Sequence, residues 1–207
     1  MRLDAFVTLR PRLYHLTAQS NVERVLRKGI LRSASELFEA AGEAHRSRAR
    51  RRGHERVKIA DEWVHIRDQA PLHAGNMALM EGWSYDDFVE HVNRHVFFWP
   101  GDLQGPIDYG LRHFQRYLKE DVAVLSVSTS GLIAANPDRA PLFSAYNSGS
   151  PRCVGGLKSP RGPQTYLPPE QFAETPGRVI EFVFPDRVVL PADVSLHHPG
   201  EFLKPSG

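Results

Sequence analysis

A chain of 207 residues with 41% hydrophobic and 10% aromatic content carries enough apolar material for one packed domain spanning 1–207, which excludes wholesale disorder. A net charge of +2 hides an uneven spread of arginine, and a single cysteine, Cys153, excludes an internal disulfide and a cysteine-rich zinc site. No stretch reaches the ~18 apolar residues of a membrane span, and the opening "MRLDAFVTLR" lacks the apolar core of a secretory leader, so the expectation is a cytoplasmic protein without a membrane partner.

In chain order, "RLYHLT" (12–17) predicts a strand rich in aromatic and β-branched residues. Ser20 with Glu23 has the spacing of a capping box for a helix whose apolar face is Val22, Val25 and Leu26, and Gly29 is placed to end it in a left-handed conformation. Ser33 and Glu36 repeat the spacing ahead of "LFEAAGEA". The stretch "HRSRARRRGHERVK" then holds six arginines and one lysine with hardly an apolar residue.

Further helices are expected over "HAGNMALMEG" and over "SYDDFVEHV", the latter capped by Ser84, and "RHVFFWP" reads as a buried strand stopped by Pro100. Ile107, Leu111, Phe114 and Leu118 recur at helical spacing. "VAVLSVST" predicts a central strand, and 134–178 predicts a long irregular loop region within the domain. "RVIEFVFPDRVVLP" predicts one strand or a tight pair, and "SLHHPGEFLKPSG" a tail or edge strand. Helices and short strands mix without βαβ regularity, which predicts an α+β domain. No glycine-rich dinucleotide loop or Walker loop is present.

Four features carry candidate chemistry. On a strand, His15 and Thr17 share a face, so an imidazole and a hydroxyl point into one space, with Asn21 shortly after; a core histidine with a satisfied hydrogen bond is the plainer alternative. In "IRDQAPL", Arg67 and Asp68 are either a surface ion pair or an arginine free to bind phosphate with both ends of its fork. In "AYNSGSPRCVGGLKSPRGPQTY", Asn147 and Ser148 form a turn with Gly149, and Arg152, Lys158 and Arg161 add positive charge. By alternation Glu181 shares a face with Val179 and Val183, and if that face is buried the carboxylate is a functional candidate because desolvation raises its pKa; on a solvated face it is ordinary surface. The adjacent His197 and His198 point to opposite faces of a strand, so no metal site is expected there.

In this order, "YHLT", "N…VLRKGIL", a downstream arginine, "VFFW" and "IEFVF" resemble the DarT-type ADP-ribosyltransferases, and are closer still to an uncharacterised bacterial family with IRDQ, FFWP and NSG blocks. The resemblance spans roughly Leu13 to Val194 and implies an ADP-ribosyltransferase-like split β-sheet core with helical insertions. It implies NAD as co-substrate, with His15, Thr17 and Asn21 binding it and Glu181 as the catalytic carboxylate. It also implies a catalytic arginine, placed at Arg67 with Arg46 to Arg52 competing, and an antitoxin protein as a possible partner. Phe97 and Phe98 are candidates to stack on nicotinamide, with Asn147 and Ser148 beside them.

Transfer of ADP-ribose needs a carboxylate near the ribose to steady developing positive charge, the role expected of Glu181. The cations Arg46, Arg48, Arg50, Arg51, Arg52 and Arg56 suit a phosphate backbone, which makes nucleic acid, DNA or RNA, the expected acceptor ahead of protein; a solvated helix face or a basic loop is the plainer alternative. Two alternatives stay open: a nucleic-acid-binding protein without activity, and a glycohydrolase that gives ADP-ribose to water.

Overall fold

The computed structural model describes residues 1–203. Helix α1 (Leu3–Leu9) precedes strand β1 (Arg12–Ala18), followed by α2 (Val22–Lys28), β2 (Ile30–Arg32), α3 (Ala34–Ala40) and a hairpin of β3 (Glu55–Ile59) and β4 (Glu62–Ile66). Next come β5 (Met77–Leu79), α4 (Tyr85–Asn93), β6 (His95–Asp102), β7 (Gly105–Pro106), α5 (Asp108–Arg116), β8 (Val122–Ser128) and α6 (Thr129–Ala134). The remainder carries β9 (Leu142–Ser144), β10 (Cys153–Val154), β11 (Leu157–Arg161), β12 (Glu181–Pro185), β13 (Arg187–Val189) and β14 (Ser195–His197). The architecture is α+β. Among the described residues no helix is long and apolar enough to cross a membrane.

Several elements form for the reasons read in the sequence. Gly29 ends α2 at φ +64°, where a side chain would be strained. Ser84 and Asp87 make a reciprocal box at the start of α4. Ser33 accepts the Glu36 N–H at 3.2 Å, but Glu36 turns its carboxylate to Arg187 and Arg32 rather than back to the cap. Ser20 caps nothing: it lies in a short 3₁₀ turn, Gln19–Asn21, and α2 starts after it without a side-chain cap.

Long-range pairing overrides three local expectations. The helix expected over "HAGNMALMEG" is instead a 3₁₀ turn and β5, drawn into parallel pairing with β11 while Met77 enters a cluster with Leu72, Phe88 and Val89. The 134–178 stretch holds β9, an edge of the main sheet, and the β10–β11 hairpin turning on Gly155 and Gly156 at φ +58° and +81°. The "RVIEFVFPDRVVLP" segment yields two strands that do not pair with each other: β12 joins β6 and β9, and β13 joins β2. The expected edge strand is β14 against β8, while 204–207 lie outside the described residues.

The main sheet has the order β14-β8-β1-β6-β12-β9, all antiparallel, with β7 added to β6. Strand β1 pairs with β8 over its whole length, Arg12 opposite Ser128 to Ala18 opposite Val122. Against β6 it pairs only from Arg12 to Tyr14, and β6 pairs with β12 only from His95 to Phe98. So β1 and β6 part after the Tyr14–Trp99 pair, and the sheet opens. Pro100 does not stop β6: it lies past the last β12 pair at Phe98, its carbonyl accepts the Ile107 N–H at 2.9 Å, and the strand runs on to pair with β7 through Gly101 and Asp102.

Alternation along the strands sends Leu13, Leu125, Phe98, Phe182 and Phe184 to one core, with Phe6 of α1, and Tyr14, Leu16, Val124 and Trp99 to a second, covered by Phe114 and Tyr117. Helix α5 ends at Arg116, so Tyr117 fills the place expected of Leu118, which is 38% exposed. Close approach of α5 to β6 rests on Gly110: a Cβ there would stand 2.6 Å from Pro106 Cβ and 2.9 Å from Trp99 Cβ. Gly110→Ala would gain about 1 kcal/mol in helix propensity but force this packing apart, so a net loss of about 1–3 kcal/mol in urea unfolding is predicted.

Candidate active site

The opening between β1 and β6 leaves the Phe97 carbonyl without a ladder partner from β1, and a buried carbonyl needs a donor. His15 supplies it: Nδ1–H donates to Phe97 O at 2.8 Å. A carbonyl only accepts, so the bond fixes the tautomer and leaves Nε2 as a bare acceptor. Burial lowers the His15 pKa, and the nearby Arg67 charge adds to that effect, so the ring is neutral at physiological pH. His15 lines a cleft of about 310 Å³ that runs along the opening.

Glu181, the first residue of β12, lines the same cleft and is only 3% exposed. The Ser148 N–H donates to Oε1 at 3.0 Å, while Oε2 and the Ser148 hydroxyl have no hydrogen-bond partner among the described residues. Burial pushes the Glu181 pKa up to about 7; hydrogen bonding from Ser148 and the Arg161 charge oppose the rise without cancelling it. Asn147, also in the cleft, has its carbonyl held by Arg161 Nη2 at 3.1 Å. This pins the turn that serves Glu181.

Arg67 enters from the segment after β4. Its guanidinium lies 3.8 Å over the Tyr117 ring, and its buried Nη2 stands 3.5 Å from the Glu120 carboxylate and makes no hydrogen bond among the described residues. Beside it on α5 stands His113, between Trp99 and Tyr117, its pKa lowered to about 3 chiefly by burial. His113 lies outside the residues predicted from sequence, although Tyr109, His113 and Tyr117 repeat at every fourth residue and line the cleft. Tyr166 is missed too: it is 4% exposed, its hydroxyl has no hydrogen-bond partner among the described residues, and it packs on His95 within electrostatic reach of Glu181. A lone tyrosine in a Pro/Gly-rich stretch gives no periodic signal.

Of the remaining predicted residues, Thr17 and Phe97 line the cleft, and the Thr17 oxygen accepts from Asn21. Asn21 reaches the cleft wall, but its amide is spent on β4: Oδ1 accepts the His65 N–H at 2.9 Å and Nδ2 donates to His65 O at 2.8 Å. It positions the strand that leads to Arg67. Phe98 is 1% exposed in the core with Phe182 and does not face the cleft, because neighbours on a strand point to opposite sides.

The arginine cluster is not an open basic face. Arg46 pairs with Glu43 and Glu55, Arg48 with Asp87 and Glu90, and Arg50 donates to the carbonyls of Gln69 and Ala70. Arg51 is 7% exposed and donates to Arg67 O and Asn93 Oδ1, each at 2.7 Å, fastening the "IRDQ" segment to α4. Only Arg52 and Arg56 of that set face solvent without a carboxylate or carbonyl partner among the described residues, and Arg56 lies over Trp63. Neither lines the cleft. Among the described residues there is no cluster of three or more His, Cys, Asp or Glu able to hold a metal ion.

A helix-decorated antiparallel sheet that opens onto a buried carboxyl and a neutral imidazole defines a small-ligand cleft. The chain belongs to DUF7002, a family of unknown function whose model matches residues 11–189. No curated protein and no solved structure matches the chain.

Burial of Glu181 sets a pH dependence of stability. The carboxyl titrates at 4.5 when free and at about 7 when folded. The folded chain keeps a proton that the unfolded chain releases, so this group contributes stability that is complete below the unfolded pKa and is lost as pH rises through the folded one. Glu181→Gln stays neutral, and is therefore predicted to be more stable than the parent at pH 8 by up to roughly 3 kcal/mol, the gap closing toward pH 4 in urea unfolding.

Proposed function

We propose that the protein is an NAD-dependent ADP-ribosyltransferase, built on an ADP-ribosyltransferase-like split sheet, with nucleic acid as its acceptor. The observation that carries this reading is the meeting of His15 and Glu181, distant in sequence, in one cleft at the place where β1 and β6 part. The strand order supports it, since β6 alone stands between the strands that bear the two residues.

The side chains present fit an NAD molecule. His15 Nε2 and the Thr17 hydroxyl offer an acceptor and a donor for ribose hydroxyls. The half-buried Phe97 offers a ring face to nicotinamide. Arg67, whose Nη2 is held by a 3.5 Å ion pair with Glu120 and by no hydrogen bond among the described residues, offers a cation to the pyrophosphate. The free Oε2 of Glu181 accepts from a ribose hydroxyl and, when ionised, steadies positive charge as the bond to nicotinamide lengthens. The same carboxylate then takes the proton from the acceptor.

The acceptor reading rests on charge at the cleft mouth, since the 46–56 cluster is largely paired internally. Arg112, Arg116 and Arg152 are exposed, line the cleft and meet no carboxylate among the described residues. The internal pairing of Arg46, Arg48 and Arg51 also weighs against a purely nucleic-acid-binding protein whose footprint is that cluster.

Incubation with labelled NAD plus DNA, RNA or protein tests the proposal. The expected result is label on nucleic acid, a rate that rises with pH through about 7 as Glu181 ionises, and a loss of about 100-fold or more in Glu181→Ala. Free ADP-ribose without a labelled macromolecule identifies a glycohydrolase instead; absence of nicotinamide release overturns NAD chemistry altogether.

A further inference from the structure

The sequence presents Arg161 as one more cation in a stretch rich in proline and glycine. In the fold it is 2% exposed. Parallel pairing of β11 with β5 places Arg161 opposite Leu79, and the Met80 N–H donates to the Arg161 carbonyl at 2.9 Å, so the backbone is fixed. The guanidinium lies 4.6 Å over the Tyr146 ring, Nη1 donates to Ser159 Oγ and Pro160 O, and Nε has no partner among the described residues. No carboxylate makes an ion pair with it among the described residues. A cation so deeply buried and so incompletely paired is expensive, and it needs a reason.

Its remaining bond supplies one. Arg161 Nη2 donates to the Asn147 carbonyl at 3.1 Å, and the Ser148 N–H donates to Glu181 Oε1 at 3.0 Å. That carbonyl and that N–H belong to the same peptide unit. A trans peptide is planar, with its C=O and N–H directed to opposite sides, so clamping one end aims the other. The positive charge on the carbonyl side also polarises the unit and strengthens the N–H as a donor.

We propose that Arg161 is a positioning residue for Glu181, acting through the Asn147–Ser148 peptide to hold and charge the carboxylate that the transfer reaction uses. This rests on the reading of Glu181 as the reaction's carboxylate. Without Arg161 the peptide is free to turn, and Oε1 loses the one N–H that holds it. The charged and titratable groups facing this point are Arg161 from β11, Tyr166 from the segment after it, Tyr146 beyond Arg161, and His95 of β6 against Tyr166. Arg161 is the one cation among those that act on Glu181, so it alone favours the ionised form by charge.

Two measurements on Arg161→Met test this. In NAD cleavage, the acid limb of the rate profile should move to higher pH, a movement of about one pH unit giving about fivefold loss at pH 7 that is recovered at pH 9, with KM for NAD little changed. A merely structural lesion lowers the rate at every pH and leaves the limb in place, which overturns the proposal. Independently of turnover, a ¹³C NMR titration of the side-chain carboxyls, with residue 181 assigned through Glu181→Gln, should show its midpoint moved upward in Arg161→Met. An unmoved midpoint rejects the role of Arg161 even if the parent cleaves NAD, and a moved midpoint upholds it even if the parent does not. Should Arg161→Met fail to fold, Arg161→Lys, which keeps the charge but cannot span all three acceptors, is titrated instead; a smaller upward movement supports the proposal and none rejects it.

Discussion

One gap in a hydrogen-bond ladder organises the molecule. Strand β6 has two edges: one pairs with β12 over its first residues and with β7 at its end, and the other pairs with β1 only from Trp99 to Gly101. Where β1 leaves, a carbonyl of Phe97 faces the protein interior without a backbone donor, and an imidazole N–H takes the place of the missing amide. The opening is thereby made tolerable without being closed. A leucine at position 15 would fill space but leave the carbonyl orphaned, at a cost of about 1–3 kcal/mol.

The electrostatics around this gap run against local stability. A carboxyl group is held almost without solvent on β12, where its charged form is disfavoured, and histidines on β6 and α5 are held neutral by burial. An ordinary core would place apolar side chains at these points. The compensating bonds come from elements remote in sequence: Ser148 reaches Glu181, Asn21 reaches β4, and Arg51 reaches across to Arg67 and Asn93. The arginine-rich segment is thus part of the scaffold, where its forked donors tie loops that have few apolar contacts of their own.

How much of this was legible in the sequence follows from the range of the interactions. Strand β1, the end of α2 at Gly29, the Ser84 cap and the burial of Glu181 depend on neighbours within a few residues, and alternation or capping chemistry reveals them. Strands β5, β9 and β11 exist because of partners far along the chain, and their residues carry no period of their own. Asn21 has the same composition whether its amide meets a ligand or a strand, and only the position of His65 decides between them. The arginines misled for a related reason. The carboxylate partners of Arg48, Asp87 and Glu90, lie on α4, and the carbonyl and amide partners of Arg50 and Arg51 lie at 67–70 and at Asn93, all outside the window in which a charge run is read.

The β10–β11 hairpin has a practical corollary. Cys153, the sole thiol of the chain, is exposed on β10 beside Arg152 at the rim of the cleft. A maleimide fluorophore therefore attaches at one known spot, near enough to the entrance for its emission to register whatever enters or leaves.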